Sequence, residues 1–147
     1  MKQKIAIVGL GYVGLPLAVE FGKKYESFGY DINKQRIDEL NKGFDHTGET
    51  TKRIIQSSAK LSFTSNIKDI AKCNIYIITV PTPIDKENNP SLKILFSASR
   101  TIGSILNKND IVIYESTVYP GCTEDYCVPI LEKESGLKYN KEFFCGY

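Results

Sequence analysis

Residues 4–14, Lys4-Ile5-Ala6-Ile7-Val8-Gly9-Leu10-Gly11-Tyr12-Val13-Gly14, decide how the chain folds. The run from Lys4 to Gly9 does not alternate polar with apolar residues, so it reads as a strand buried on both faces. From Tyr12 to about Tyr25 the pattern is helical, with Pro16 near the first turn, where a missing N–H costs at most an early intrahelical bond. Between strand and helix lies G-x-G-x-x-G. Gly9 permits a tight turn, Gly11 leaves room for a phosphate group against the backbone, and Gly14 lets helix and strand pack closely. The helix start adds free N–H groups and the positive end of its dipole, which together favour an anion. Three glycines at this spacing also fit an ordinary loop; the order strand, glycines, helix gives them meaning.

The next strand, Ser27-Phe28-Gly29-Tyr30-Asp31, ends in an acid. Asp31 lies about 20 residues after Gly9, the distance at which a carboxylate hydrogen-bonds the ribose hydroxyls of a bound dinucleotide. A carboxylate there repels a ribose phosphate, so NAD is favoured over NADP. Arg36 pulls the other way, since it could flank the adenine or meet a phosphate. Tyr12, Val13 and Ile32 flank these positions and complete the candidate contacts on this side. The competing role for Asp31 is to cap the helix that follows, from Asn33 to about Asn41, closed by Gly43.

Strand-length apolar runs continue to alternate with helical segments, which predicts parallel β-α-β units. Leu61–Thr64, Ile75–Val80 and Ile111–Tyr114 read as strands, and Glu142–Cys145 as a last one. Helices are expected over Asn66–Lys72 with Ser65 as cap, over about Leu92–Leu106, and over about Thr123–Glu134. Phe44 to Ser58 is the least legible stretch: His46-Thr47-Gly48-Glu49 suggests a turn and Thr51–Ser58 a short helix. The expected fold is therefore α/β, a Rossmann-type doubly wound, mostly parallel sheet with helices on both faces.

The 147 residues fit one domain, with 41% hydrophobic and 24% charged residues, as in a soluble globular protein. A net charge of +2 without a basic block excludes a phosphate-backbone tracker, so no nucleic-acid partner is expected. No apolar run approaches the ~20 residues that span a bilayer, and the first residues do not read as a signal peptide. Cys73, Cys122, Cys127 and Cys145 show no C-x-x-C spacing and His46 is the single histidine, so no metal site is expected and the thiols read as reduced and cytoplasmic. Cys122 and Cys127 would lie about 140° apart on a helix of 3.6 residues per turn and so share no face.

In a sheet of order 3-2-1-4-5-6, ligands lie beyond the carboxyl ends of the strands where the order reverses. Two further loops leave that edge: Val80-Pro81-Thr82-Pro83, and Glu115-Ser116-Thr117-Val118-Tyr119-Pro120-Gly121. With Asp31 on the adenosine side, these loops fall towards the nicotinamide. Val80, Pro81, Thr82, Glu115, Ser116 and Thr117 are the candidate contacts there, with hydroxyls on Thr82, Ser116 and Thr117. The bland readings are a strand stop for the prolines and helix capping for Ser116 and Thr117.

Ile5 to Ala18 (I-A-I-V-G-L-G-Y-V-G-L-P-L-A), Gly29 to Leu40 (G-Y-D-I-N-K-Q-R-I-D-E-L), V-P-T-P at Val80 and Y-E-S-T-V-Y-P-G-C-T-E from Tyr114 together resemble the UDP-glucose/GDP-mannose dehydrogenase family. Within it they are most similar to the UDP-N-acetylhexosamine 6-dehydrogenases of surface-polysaccharide synthesis. The resemblance implies a cytoplasmic enzyme that oxidises the C6 alcohol of a UDP-sugar to a carboxylate with two NAD. Gly9, Gly11, Gly14, Asp31, Thr82 and Thr117 carry over as cofactor contacts, and Thr117 also as a catalytic residue that helps hold a water near the reacting carbon. It further implies a homodimeric whole protein with dimer contacts beyond residue 147, and a monomeric 147-residue chain.

The family's nucleophilic cysteine, with its assisting lysine and aspartate, falls outside this sequence. Residues 1–147 are thus expected to be the NAD-binding domain alone, without the substrate domains and inactive by itself. Cys145 lies in the strand before the family's S-P-E-R segment and reads as a buried thiol. Ser91 stands where an aspartate is usual, which touches a helix cap and no chemistry. Two other readings stay open: the cofactor domain of a 3-hydroxyacid or 6-phosphogluconate type dehydrogenase, against which V-P-T-P and E-S-T-V-x-P-G count, and a non-catalytic dinucleotide-binding module.

Overall fold

The computed structural model describes residues 2–147. Its elements are β1 (Lys4–Val8), α1 (Gly14–Lys24), β2 (Glu26–Tyr30), α2 (Lys34–Asn41), α3 (Lys52–Gln56), β3 (Leu61–Thr64), α4 (Ile67–Ile70), β4 (Ile75–Ile78), α5 (Lys93–Gly103), β5 (Ile111–Tyr114), α6 (Val128–Ser135) and β6 (Phe144–Gly146). The strands form one sheet in the order β3-β2-β1-β4-β5-β6. Every neighbouring pair is parallel, so the expected doubly wound sheet is present and is parallel throughout.

Alternation along β1 shows how the sheet is covered. Ile5 and Ile7 point to a core with Leu15, Ala18 and Val19 of α1 and Ile37 and Leu40 of α2. Ala6 and Val8 point to the other, with Leu95 and Ile102 of α5 and Leu131 of α6. Both side-chain sets of the strand are therefore out of water, which is why the sequence shows no alternation there.

Two local expectations need correction, and the competing role of Asp31 as a helix cap falls away. Asn33, not Asp31, caps α2, its side chain accepting the Arg36 N–H at 3.3 Å. Asn66, not Ser65, caps α4, accepting from the Lys68 N–H at 3.1 Å. The helix expected over Thr123–Glu134 opens with a π-helical turn, Thr123–Cys127, before α6. Its cause is Pro129, which has no N–H for the regular ladder, and the Val128 N–H reaches back to the Thr123 carbonyl instead. That wider winding voids the 3.6-residue angle between Cys122 and Cys127, both of which sit in the α5–α6 core.

Strand β4 stops at Ile78, two residues short of the expected Val80, although the Thr79 N–H still donates to the Val8 carbonyl at 2.9 Å. Cys145 is half-buried rather than buried, and burial pushes its thiol up to about 12. Among the described residues, no helix is long and apolar enough to cross a membrane.

Candidate functional site

A crevice of about 530 Å³ opens at the carboxyl edge of the sheet, where the strand order reverses between β1 and β4. Gly9 and Gly11 floor it, Asp31, Ile32 and Arg36 form one wall, and Val80, Pro81 and the first turns of α5 form the other.

The three glycines do three different things. Gly9 has φ +97°, a conformation that L side chains rarely adopt, and a Cβ there would lie 3.1 Å from Val80 Cγ1. At Gly14 a Cβ would fall on the Gly9 carbonyl oxygen and 2.5 Å from Thr79 Oγ1, so this glycine is what lets α1 lie against β1. At Gly11 a Cβ would meet nothing within 4 Å. Position 11 is open on the protein side, so its glycine keeps space free for something else. Among the described residues, the N–H groups of Gly11, Tyr12, Val13 and Gly14 find no acceptor at this end of α1. Open space beside unpaired helix-start donors suits a pyrophosphate.

Leu10, between the first two glycines, is gripped from both sides. Its N–H donates to Asp31 Oδ2 at 2.9 Å, and its carbonyl accepts from Arg36 Nε at 2.9 Å. The other Asp31 oxygen accepts the Asn33 N–H at 2.9 Å. A carboxylate has about four acceptor positions, so Asp31 retains capacity for two hydroxyls on its crevice side. The residues present therefore fit a dinucleotide: free amides for the phosphates, and a carboxylate at the tip of the neighbouring strand for the ribose.

Arg36 is itself buried. Its Nη2 sits 2.8 Å from Asp45 Oδ1, both side chains being almost wholly out of solvent, at an angle that leaves Nη2 outside hydrogen-bond geometry. Its Nη1 is 3.3 Å from His46 Nδ1. Burial alone would raise the Asp45 carboxyl, but hydrogen bonds from Thr47 and the Thr50 N–H, with the Arg36 guanidinium charge beside it, outweigh it and hold the group below the usual carboxylate range.

The two remaining loops are tied to each other. Ser116 Oγ donates to the Val80 carbonyl at 2.6 Å, and Thr82 Oγ1 donates to the Thr117 carbonyl at 2.8 Å. Neither hydroxyl caps a helix. The Glu115 N–H extends the ladder to the Ile78 carbonyl at 2.9 Å. Thr117 is exposed, and its hydroxyl has no protein partner among the described residues.

Of the residues singled out in the sequence, Gly9, Gly11, Asp31, Ile32, Arg36, Val80 and Pro81 line the crevice. Gly14 lies buried beneath it. Tyr12 and Val13 are exposed at the helix start, 68% and 57%, without lining it. Thr82, Glu115, Ser116 and Thr117 stand outside it, on the loops after β4 and β5. Sequence reasoning missed His46 and Thr47, which lie in the stretch with least pattern. It also missed the α5 face of Ile94, Ser97, Ala98 and Thr101, although their spacing of three, four and seven was a usable signal for one helical face.

The family model for the UDP-glucose/GDP-mannose dehydrogenase family, NAD binding domain, matches residues 3–145. UDP-N-acetyl-D-glucosamine 6-dehydrogenase of Pseudomonas aeruginosa is 59% identical over 98% of the chain, and its counterpart from Salmonella typhi is 58% identical over 99%. The chain spans 34% of the length of each. The structure of a UDP-D-ManNAc dehydrogenase from Pyrococcus horikoshii superposes with a TM-score of 0.89 at 36% identity, over 97% of this chain and 35% of that one. The sequence left a 3-hydroxyacid or 6-phosphogluconate type cofactor domain open; the family match decides against it. The chain belongs to the UDP-glucose/GDP-mannose dehydrogenase family, and it is that family's NAD-binding domain.

Proposed function

We propose that residues 1–147 form the cofactor domain of an NAD-dependent UDP-sugar 6-dehydrogenase, and that the sugar is a UDP-N-acetylhexosamine. The observation that carries this reading is the crevice at the β1–β4 reversal, lined by Asp31 and by the loop whose amides at Gly11–Gly14 are unpaired. The names of the relatives at 59% and 58% identity support the N-acetylglucosamine compound as substrate.

In this reading Gly9 shapes the turn while its N–H stays on the Tyr30 carbonyl, the free amides of Gly11, Tyr12, Val13 and Gly14 hold the pyrophosphate, and Asp31 accepts from the adenosine ribose. Ile32 and Arg36 border the adenine. Val80, Pro81, Thr82, Glu115 and Ser116 border the nicotinamide end, held in register by the two hydroxyl-to-carbonyl bonds between their loops. Thr117, whose hydroxyl is not used by the protein, positions a water beside the reacting carbon. When bound, NAD supplies the hydride acceptor; two such transfers and one water take a primary alcohol to a carboxylate.

The remaining substrate and catalytic groups belong to the whole protein, which we place in the cytoplasm as a homodimer in surface-polysaccharide synthesis; the 147-residue chain itself is monomeric. Calorimetry on this chain should show one NAD site, and incubation with NAD and UDP-N-acetyl-D-glucosamine should release no NADH. The whole protein should release two NADH per UDP-N-acetyl-D-glucosamine. Steady NADH production by the chain alone would overturn the division of labour, and no NAD binding would overturn the cofactor assignment.

A further inference from the structure

Arg36 raises a question of cofactor choice that its sequence position leaves open, because an arginine near the ribose can receive a 2′-phosphate. The structure shows where its charge goes. The guanidinium is buried, Nε is committed to the Leu10 carbonyl, Nη1 faces His46, and Nη2 lies 2.8 Å from Asp45 Oδ1. Asp45 does not line the crevice, but it is firmly held. Oδ1 also accepts from the Thr47 N–H at 3.0 Å and the Thr47 hydroxyl at 2.7 Å, and Oδ2 accepts the Glu49 and Thr50 N–H groups, each at 3.0 Å. A carboxylate pinned by four donors cannot follow the guanidinium if that moves, so the pair fixes Arg36 against the loop.

The consequence is electrostatic. Asp31, Asp45 and Glu39, the last 2.6 Å from His46 Nδ1, outnumber the Arg36 cation around the adenosine wall, and removing the Asp45 charge would lessen that excess by one. Lys93, on the opposite wall, is exposed, so water and salt screen it. A less negative wall with a cationic guanidinium freed from its partner would better tolerate a ribose phosphate; the wall as built repels one.

We propose that Asp45 is a positioning residue for cofactor specificity: by pairing with Arg36 it holds the guanidinium on the Leu10 carbonyl and denies it to the 2′-phosphate of NADP. The inference rests on the NAD-binding reading, which the first arm of the test reads separately. Dissociation constants for NAD and NADP are measured by calorimetry on the 147-residue chain at low and moderate salt, for the natural sequence, Asp45→Asn, Arg36→Gln and the double variant.

The natural chain should bind NAD and discriminate against NADP; failure to bind either sinks the cofactor reading, and this inference with it. Asp45→Asn should narrow the NADP-to-NAD ratio by about tenfold, since a charged hydrogen bond is worth roughly that factor, and the gain should shrink with salt and vanish in the double variant. Equal weakening of both cofactors would reduce Asp45 to a scaffold residue and overturn the inference, as would an unchanged ratio. Should Asp45→Asn fail to fold, Arg36→Gln decides alone. With its one cation gone the wall should discriminate against NADP at least as strongly as in the natural chain, whereas improved NADP binding would show that the charge on this wall does not set the choice and refute the assignment.

Discussion

The buried Thr79 hydroxyl lies 2.7 Å from the Gly9 carbonyl oxygen, to which it donates, and it stands where any side chain at position 14 would have to go. Strand β4 thereby reaches across to the loop that follows β1 and fixes the distance at which α1 starts.

Gly14→Ala and Gly11→Ala should accordingly part company. At position 14 the added methyl meets backbone that cannot yield, so overpacking should cost on the order of 1–3 kcal/mol or more, and NAD binding should be lost with it. At position 11 the methyl meets no protein atom, so the melting temperature should stay near that of the natural chain while NAD affinity falls. Thermal melts with and without NAD check both; a Gly11→Ala chain that binds NAD normally would show that nothing approaches that backbone.

Asp31→Ala should weaken NAD binding by more than its ribose contacts alone. It removes one or two charge-assisted hydrogen bonds to the ligand, each worth about 1.5–3 kcal/mol before solvent compensation, and it also frees the Leu10 N–H. Calorimetry should show the loss, and an unchanged affinity would mean that the adenosine side has been misplaced.

Ser116→Ala tests the tie between the two outer loops. Losing the donor to the Val80 carbonyl should cost about 0.5–1.5 kcal/mol of stability and loosen the nicotinamide end. Adenosine diphosphate, which lacks that end, should bind the variant as it binds the natural chain, while NAD binds more weakly. Equal losses for both ligands would argue against a local role.

How much of this was legible beforehand varies with the range of the forces involved. Strand β1, the glycines and Asp31 were readable because sequence-local periodicity and spacing report them. The double grip on Leu10 was not, since it needs Asp31 and Arg36 from two later elements to converge on one peptide. Asp45 was invisible for a related reason: its partners come from α2 and from its own loop, and the stretch around it has no apolar rhythm. The competing role of Asp31 as a helix cap could not be dismissed from sequence; in the structure one of its oxygens is drawn to the Leu10 N–H and Asn33 caps the helix instead. The π turn before α6 could have been suspected from Pro129, which breaks a ladder that the surrounding residues otherwise support.

Acid should test the Asp45 pairing directly. Its carboxyl is lowered in the folded chain, so its contribution to stability is full above the ordinary carboxylate pKa of about 4 and is lost as pH falls through the lowered value. Unfolding measured from neutral pH down to about pH 3 should therefore be steeper for the natural chain than for Asp45→Asn. Parallel profiles would show that the pair adds nothing pH-dependent.

The grip on Leu10 also bears on how this domain can change over generations. Many functional sites store strain, so that gains in rigidity are opposed by losses in performance. Here the same two side chains brace the chain and shape the mouth that receives the ligand. Substitutions that slacken either one harm persistence and affinity alike, so that selection on the two pulls in one direction.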